Sequence, residues 1–566
     1  MPKTHAGWVK AVMTGAAASL LAMLSVSCAK DSGSDQSTAT TNAAGQVTVS
    51  IASSGGPKPG GSLIYGIEAE TDGFDPTTNR WAISGLMIAN AFTDPIAAFD
   101  INKQPQPYLA ESFNHNPDYT EWIIKSRPNI KFHNGQPVDA AAGKKFTDAI
   151  KSSVLTGPAA RPIESTEIVD TLTLKIKMSQ PWVAFPALLT GQGGMMIAPE
   201  QIDKSAAKNP EGSLKPIGTG PFKFSEYIRD SHWIGTKNTD YWQTDKAGNK
   251  LPYLDKVTFK PLPDVQSRIQ SLLAGDVNVI HSDYYDKVET LRTAANQGKI
   301  QFFEGGGEDE ESFAMINVQE PPLSDKRLRQ ALAYATDLSV IEAITGAPED
   351  QRADSPFNKN GDWYADPNYP KFDLSKARAL VDTWKAENGG AAPKFTLSST
   401  PSPDVAKVTQ ALQQLWQQAG FEVTLETGEQ TKIILNAVTA NYQAVYFRQF
   451  SAPDPDGETH WWLGANAAPK GTIGLNFARI KSEQLDAALT KGRGSPELAD
   501  RKAAYVDVAK VLADEVPYVW LHHVRWSIAT DTRVRDVLNG LLPDGVTQSL
   551  PVQAGVHRLT YAWLAS

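Results

Sequence analysis

Read as a pattern of apolar and polar positions, the chain begins its regular sequence at 61–67, GSLIYGI, which reads as a strand. A turn-rich stretch follows over 70–81, then a helical run over 86–92. The spacing over 121–125 predicts a strand that turns at Arg127-Pro128-Asn129 and returns over 130–132, a hairpin closed by His133-Asn134-Gly135. His133 reads as a turn residue. Asp264 caps a helix carrying Ile269, Leu272 and Leu273, which stops at Gly275 ahead of a strand at 277–280. Ser324-Asp325 opens one amphipathic helix with Leu328, Ala331, Leu332, Ala335, Leu338 and Ile341 on a single face, ending near Gly346. Lys326, Arg327 and Arg329 fall on its other face and read as solvated. A further helix runs from Asp373 to Gly389.

From residue 395 strands and helices alternate. A strand at 395–397 leads into a helix from Ser402-Pro403 to Gly420, a strand at 421–425, a helix at 433–438 and a strand at 444–447. Alternation of this kind predicts parallel strands joined by right-handed crossovers, an α/β layer structure. Trp384 and Trp416 stand at helical spacing from leucines and read as core. The tail adds a helix over 496–515 and a strand over 516–520. His522-His523 has no third ligand at a metal-site spacing and reads as structural.

The stretch 446–464, YFRQFSAPDPDGETHWWLG, stands apart. Pro453, Pro455 and Gly457 forbid both a helix and a central strand, so the chain must leave the sheet as a loop there. That loop carries Arg448, Phe450, Asp454, Asp456, His460, Trp461 and Trp462. Aromatic rings beside a few charges at a strand end suit the lining of a small-molecule pocket. They equally suit a surface loop whose tryptophans cap the edge of a core.

Length and charge narrow the classes. At 566 residues the chain exceeds one hydrophobic core, and two or three domains are expected. A formal charge of -9, no basic run and a mean hydropathy of -0.33 argue for a soluble body that does not bind nucleic acid. Residues 1–27 have Lys3 and Lys10 ahead of an apolar run over 11–26, short for a membrane span and suited to a secretory signal. The run ends at Cys28, the only cysteine in the chain. It resembles a bacterial lipoprotein signal, in which that cysteine is lipidated, although Ser25 stands where leucine is usual. Residues 28–60, rich in Ser, Thr, Ala and Gly, are expected to form a flexible tether.

The runs PYLAESF (107–113), EWIIKSRPNIKFHNGQPV (121–138), PIGTGPFKF (216–224), YWQ (241–243), SLLAGDVNVI (271–280), DKRLRQALAYATD (325–337) and PYVWLHH (517–523) resemble the dipeptide, oligopeptide and nickel-binding solute-binding proteins of ABC importers. The resemblance covers roughly 60–530. It implies a type II periplasmic-binding-protein-like α/β fold: a first lobe over 61–311 with an inserted subdomain at about 86–225, a second lobe over 312–520, and a return to the first lobe over 521–566. It further implies a hinge, a ligand engulfed between the lobes, a monomer that docks on ABC permease subunits, and no cofactor. Relatives often hold a ligand ammonium with an aspartate where this chain has Ser451. Arg448 stands where they have an apolar or aromatic residue, and a guanidinium there is expected to take a ligand carboxylate. The resemblance places Arg80, Trp81, Ser84 and Gly85 on the opposite wall, with Phe450, Asp454, His460, Trp461 and Trp462 beside Arg448.

A peptide or other carboxylate-bearing solute is therefore the expected guest. A nickel chelate is the alternative within the branch, and a non-transport envelope lipoprotein working through protein partners is another. Catalytic signatures such as H-E-x-x-H and G-x-S-x-G are absent from the sequence, and an enzyme is not expected.

Overall fold

A computed structural model describes residues 37–41, 47–51, 56–305, 310–450 and 452–565. Residues 1–27, expected to be a secretory signal, and Cys28 and Ser451 lie outside these residues. Two sheets dominate, and each is the floor of its own core. The larger has nine strands in the order Ser37–Thr41, Val47–Ile51, Ile300–Glu304, Ser527–Asp531, Val279–Ser282, Ser62–Ile67, Lys256–Pro261, His232–Lys237 and Phe222–Ile228. Its centre is parallel, Ser62–Ile67 lying between Lys256–Pro261 and Val279–Ser282. The five-stranded sheet runs Glu422–Thr427, Lys394–Ser399, Ala444–Gln449, Glu311–Ile316, Tyr518–His523. The expected parallel crossovers appear here: the helices Pro403–Gln418 and Gln430–Val438 connect strands that all run the same way. An antiparallel sheet of four strands, between Ala110 and Met178, shares a hydrophobic core with the nine-stranded sheet.

The chain passes between the large sheets twice. It leaves the first after Glu304 and enters the second at Glu311; it leaves the second after His523 and re-enters the first at Ser527. The two crossings are stitched together by backbone bonds, Gly305 N–H to Trp526 O (2.7 Å) and Val524 N–H to Glu310 O (2.7 Å). Two lobes joined by adjacent crossing segments form a hinge.

Local chemistry explains particular element ends. Asp264 accepts from Ser267 N–H at 2.7 Å and Gly275 closes that helix at φ 83, a backbone state glycine adopts without strain. Trp416 is fully buried and donates to Thr336 Oγ1 at 3.0 Å, and Trp384 packs against the same core.

Four expectations fail. The 130–132 return strand does not form: Glu121–Ser126 pairs instead with Ala110–His115 and Thr173–Met178. Pro128 and the left-handed Asn129 (φ 65) take the chain off the sheet, and Phe132 is buried in the core. The helix opening at Asp325 is two helices, Lys326–Ala335 and Leu338–Thr345, because Thr336 is extended and Asp337 caps the second by accepting from Ser339 N–H. Arg329 is not solvated. It is buried, donating to the carbonyls of Leu323, Ser324 and Glu515 and to the Glu515 carboxylate (2.9 Å). Within the stretch expected to be a tether, Ser37–Thr41 and Val47–Ile51 pair as a hairpin on the edge of the nine-stranded sheet. The alternation Val47-Thr48-Val49-Ser50-Ile51 is a strand pattern, and an open edge supplies its partner.

Candidate functional site

Ser62–Ile67 and Val279–Ser282 lie side by side and parallel, Tyr65 opposite Val279 and Gly66 opposite Ile280. Equal direction and matched register bring the residues just past their carboxyl ends, Glu68 and Asp283, to one place. In an open α/β sheet that is where ligands are held. From the second lobe, Arg448 projects into the same place from Ala444–Gln449, where it stands opposite Ser312 of the neighbouring strand.

The Arg448 guanidinium is surrounded. Nη2 donates to Glu68 at 3.1 Å, Nη1 to Asp283 Oδ2, and Nε lies 2.8 Å from Glu310 Oε1. Its plane sits over the Trp526 ring, 4.8 Å from the centroid. Glu310 and Trp526 belong to the two crossing segments and are tied to each other, Trp526 Nε1 donating to Glu310 Oε2 at 2.5 Å. First lobe, second lobe and hinge thus meet at one cation. The guanidinium expected to face a ligand carboxylate is already matched by the protein's own acids.

Three carboxylates around one cation leave an excess of negative charge, and burial raises its cost. Glu310 shows this: burial pushes its carboxyl up to about 7, against the pull of Arg448 and Trp526, and Asp283 and Glu68 push the same way. Burial alone would ease the proton off Arg448, but Asp283, Glu68 and Glu310 together hold it far above its ordinary value. His281 stands behind Glu68 and accepts that residue's backbone N–H through Nε2 (3.2 Å). Burial lowers His281 to about 3, so the ring stays neutral and keeps the lone pair this bond needs. Next to Arg448, Ser312 meets His522, whose own value burial lowers to about 4.

The other expected residues divide into two groups. Arg80 of the first lobe lies over Trp461 of the second at 4.8 Å, and its Nη2 is 3.3 Å from His460 Nε2. These three form a second contact across the junction. The rest serve packing. Phe450, at φ 72, and Trp462 lie in the core of the second lobe, Phe450 against Phe313 and Tyr518. Asp454 accepts from Asp456 N–H at 2.9 Å and pairs with Arg501 at 2.6 Å, which makes it a turn residue. Trp81 donates to Gly73 O, Ser84 Oγ accepts from Ala69 N–H, and Gly85 lies so close to the Trp81 ring that a side chain there would crowd it.

A third contact was not anticipated. Trp182 of the first lobe donates to Asp456 at 2.5 Å and stacks on Arg493 (4.7 Å), which itself pairs with Asp456 at 2.7 Å. A cavity of about 460 Å³ lies elsewhere, lined by Asp337, Arg352, Asp354, Lys359, Tyr369 and Phe372 among others. All its walls come from the second lobe, so a guest in it would not touch the first.

A family model described as bacterial extracellular solute-binding proteins, family 5, matches residues 104–471, well over half of the chain. The chain belongs to that family. Family 5 proteins bind solutes for transport and are not enzymes, and the extracellular setting of the family places their work outside the cytoplasm. A putative ABC transporter peptide-binding protein of Brucella ovis is 28% identical over 83% of this chain and 89% of its own length. The glutathione-binding protein GsiB of Pectobacterium atrosepticum is 25% identical over 77% of this chain and 83% of its own. Among solved structures, AgaA from A. tumefaciens R10, in complex with agropinic acid, superposes with a TM-score of 0.78 at 23% identity, over 89% of this chain and 99% of that one. The oligopeptide-binding protein AppA from Bacillus subtilis, in complex with a nonapeptide, gives 0.77 at 20% identity, over 90% and 100%. At these identities the two structures establish the fold, the two-lobed type II architecture of periplasmic binding proteins.

Proposed function

We propose that this family 5 protein is the capture component of an ABC importer. It is lipid-anchored through Cys28 on the outer face of the cell membrane, holds a peptide or related small organic solute between its lobes, and delivers it to the permease. The observation that carries the reading is the meeting of Arg448 with Glu68 and Asp283. A guest seated there touches both lobes at once, and only such a guest has the differential affinity that selects the closed state. Micromolar affinity, about −8 kcal/mol, exceeds the few kcal/mol that separate open from closed forms in such proteins. Where the guest bears a carboxylate, Arg448 receives it, displacing one of the protein's own acids.

The test uses the chain isolated from its own cell envelope. Native mass spectrometry is expected to find one small solute per chain, and small-angle scattering to show expansion when that solute is removed by partial unfolding and refolding. A chain that carries nothing and whose scattering does not respond to extracts of growth medium would overturn the reading.

A further inference from the structure

We propose that Glu68 and Asp283 form a subsite for a cationic group of the solute, an ammonium or a guanidinium, at the position that the Arg448 guanidinium takes between the lobes. The inference rests on the reading of the lobe junction as the capture site, and it names the guest's chemistry.

Both acids belong to the first lobe, and Arg448 comes from the second. When the lobes part, Arg448 leaves with its own strand and the acids need another partner. Among the described residues their own lobe pairs no cation with either: His281 is a neutral acceptor toward Glu68 N–H, and Arg268 directs its hydrogens to the carbonyls of Leu262 and His281. Asp283 is under-satisfied even with Arg448 in place. Its side chain is 9% exposed, Oδ2 takes Arg448, and Oδ1 is buried with no hydrogen-bond partner among the described residues. A buried carboxylate oxygen with an open lone pair calls for a donor, and a cation answers it best.

The other end of the exchange is also prepared. Displaced from Glu68 and Asp283, Arg448 keeps Glu310 and the Trp526 ring, both on the hinge segments. It is then neither stranded nor saturated, and a guest carboxylate can join it. The geometry thus describes a zwitterion: positive end on Glu68 and Asp283, negative end on Arg448. A purely anionic guest would bring further negative charge beside Glu68 and Asp283, which like-charge repulsion opposes.

The wild-type chain, stripped of co-purified solute, is mixed with an equimolar set of tripeptides, free amino acids, polyamines and dicarboxylates, and the retained species are identified by native mass spectrometry. The double variant E68Q/D283N is run alongside, with circular dichroism to confirm its fold. The expected result is retention of species bearing an ammonium or guanidinium by the wild type and at least a tenfold loss of them in the variant. Retention of dicarboxylates in preference, or equal retention of cationic species by both proteins, overturns the cation subsite and leaves inter-lobe capture standing. A wild type that retains nothing overturns the capture reading, and the subsite with it. If the double variant does not fold, the single variant D283N, which removes one charge and keeps the shape, carries the same comparison.

Discussion

Arg448 reaches across the lobe junction to Asp283, a partner 165 residues away on the other sheet. Neither residue sits in a recognisable motif. What joins them is the parallel register that carries Asp283 to the end of its strand beside Glu68, and the strand Ala444–Gln449 that holds Arg448 opposite Ser312.

Removing the guanidinium should expose how the three acids depend on it. Breaking a buried ion pair on one side costs about 3 kcal/mol or more, because the remaining charges stay behind. R448Q is expected to lose that order of stability in urea unfolding. R448Q/D283N should be less unstable than the sum of the single variants, and strict additivity would mean the two residues are not coupled.

Glu310 makes stability depend on pH. Its carboxyl titrates at about 7 when folded, against an ordinary value of 4.5. The folded chain therefore holds a proton that the unfolded chain has released between those limits, and stability contributed by this group falls as pH rises from about 4.5 to 7. Arg448, Glu68, Asp283 and Trp526 face the group, and Arg448 stays charged throughout. E310Q should remove this slope, so its stability relative to wild type rises across the window by at most about 3 kcal/mol and then levels. Parallel wild-type and E310Q curves would contradict the assignment.

Arg329 is expected to be structural despite its distance from the junction. R329A takes the side-chain donors from the carbonyls of Leu323 and Ser324 and leaves Glu515 with Lys326, a loss of about 2 kcal/mol by denaturant titration. R329K should restore only part, since one ammonium cannot reproduce the fork.

Trp182 offers a probe of closure away from the charge cluster. W182F removes the hydrogen bond to Asp456, worth about 2 kcal/mol for a charged acceptor, and underfills the buried site of the indole. Scattering of the unliganded variant should shift toward the open form, with thermal unfolding of the second lobe little changed and that of the first lowered by the underfilled core.

The sequence was legible where local chemistry decides. Asp264 and Gly275 bound their helix as their residue types demand, and the 395–447 alternation gave the parallel crossovers. It misled where a distant partner decides. Strand-forming residues at 47–51 look like linker until an open sheet edge accepts them, and Arg329 looks solvated until Glu515 arrives from 186 residues away. At the site, Arg448 stands out in the sequence because the resemblance puts it where relatives carry an apolar or aromatic residue. Glu68 and Asp283 were missed, although both directly follow strands. Which two strand ends adjoin is a fact of topology, and the string of residues does not state it. Trp462 and Phe450 were misplaced for the converse reason, since an aromatic side chain can serve a pocket or a core and only packing tells which.

The pairing of Tyr65 with Val279 has one more outcome for how such a molecule changes over time. Side chains along a strand alternate between faces, so inserting or deleting a single residue before Glu68 or Asp283 turns that acid to the far side of the sheet. Substitution can tune the charge of this place by degrees; a one-codon slip in either strand would remove it at a stroke, together with the core packing of the strand that carries it.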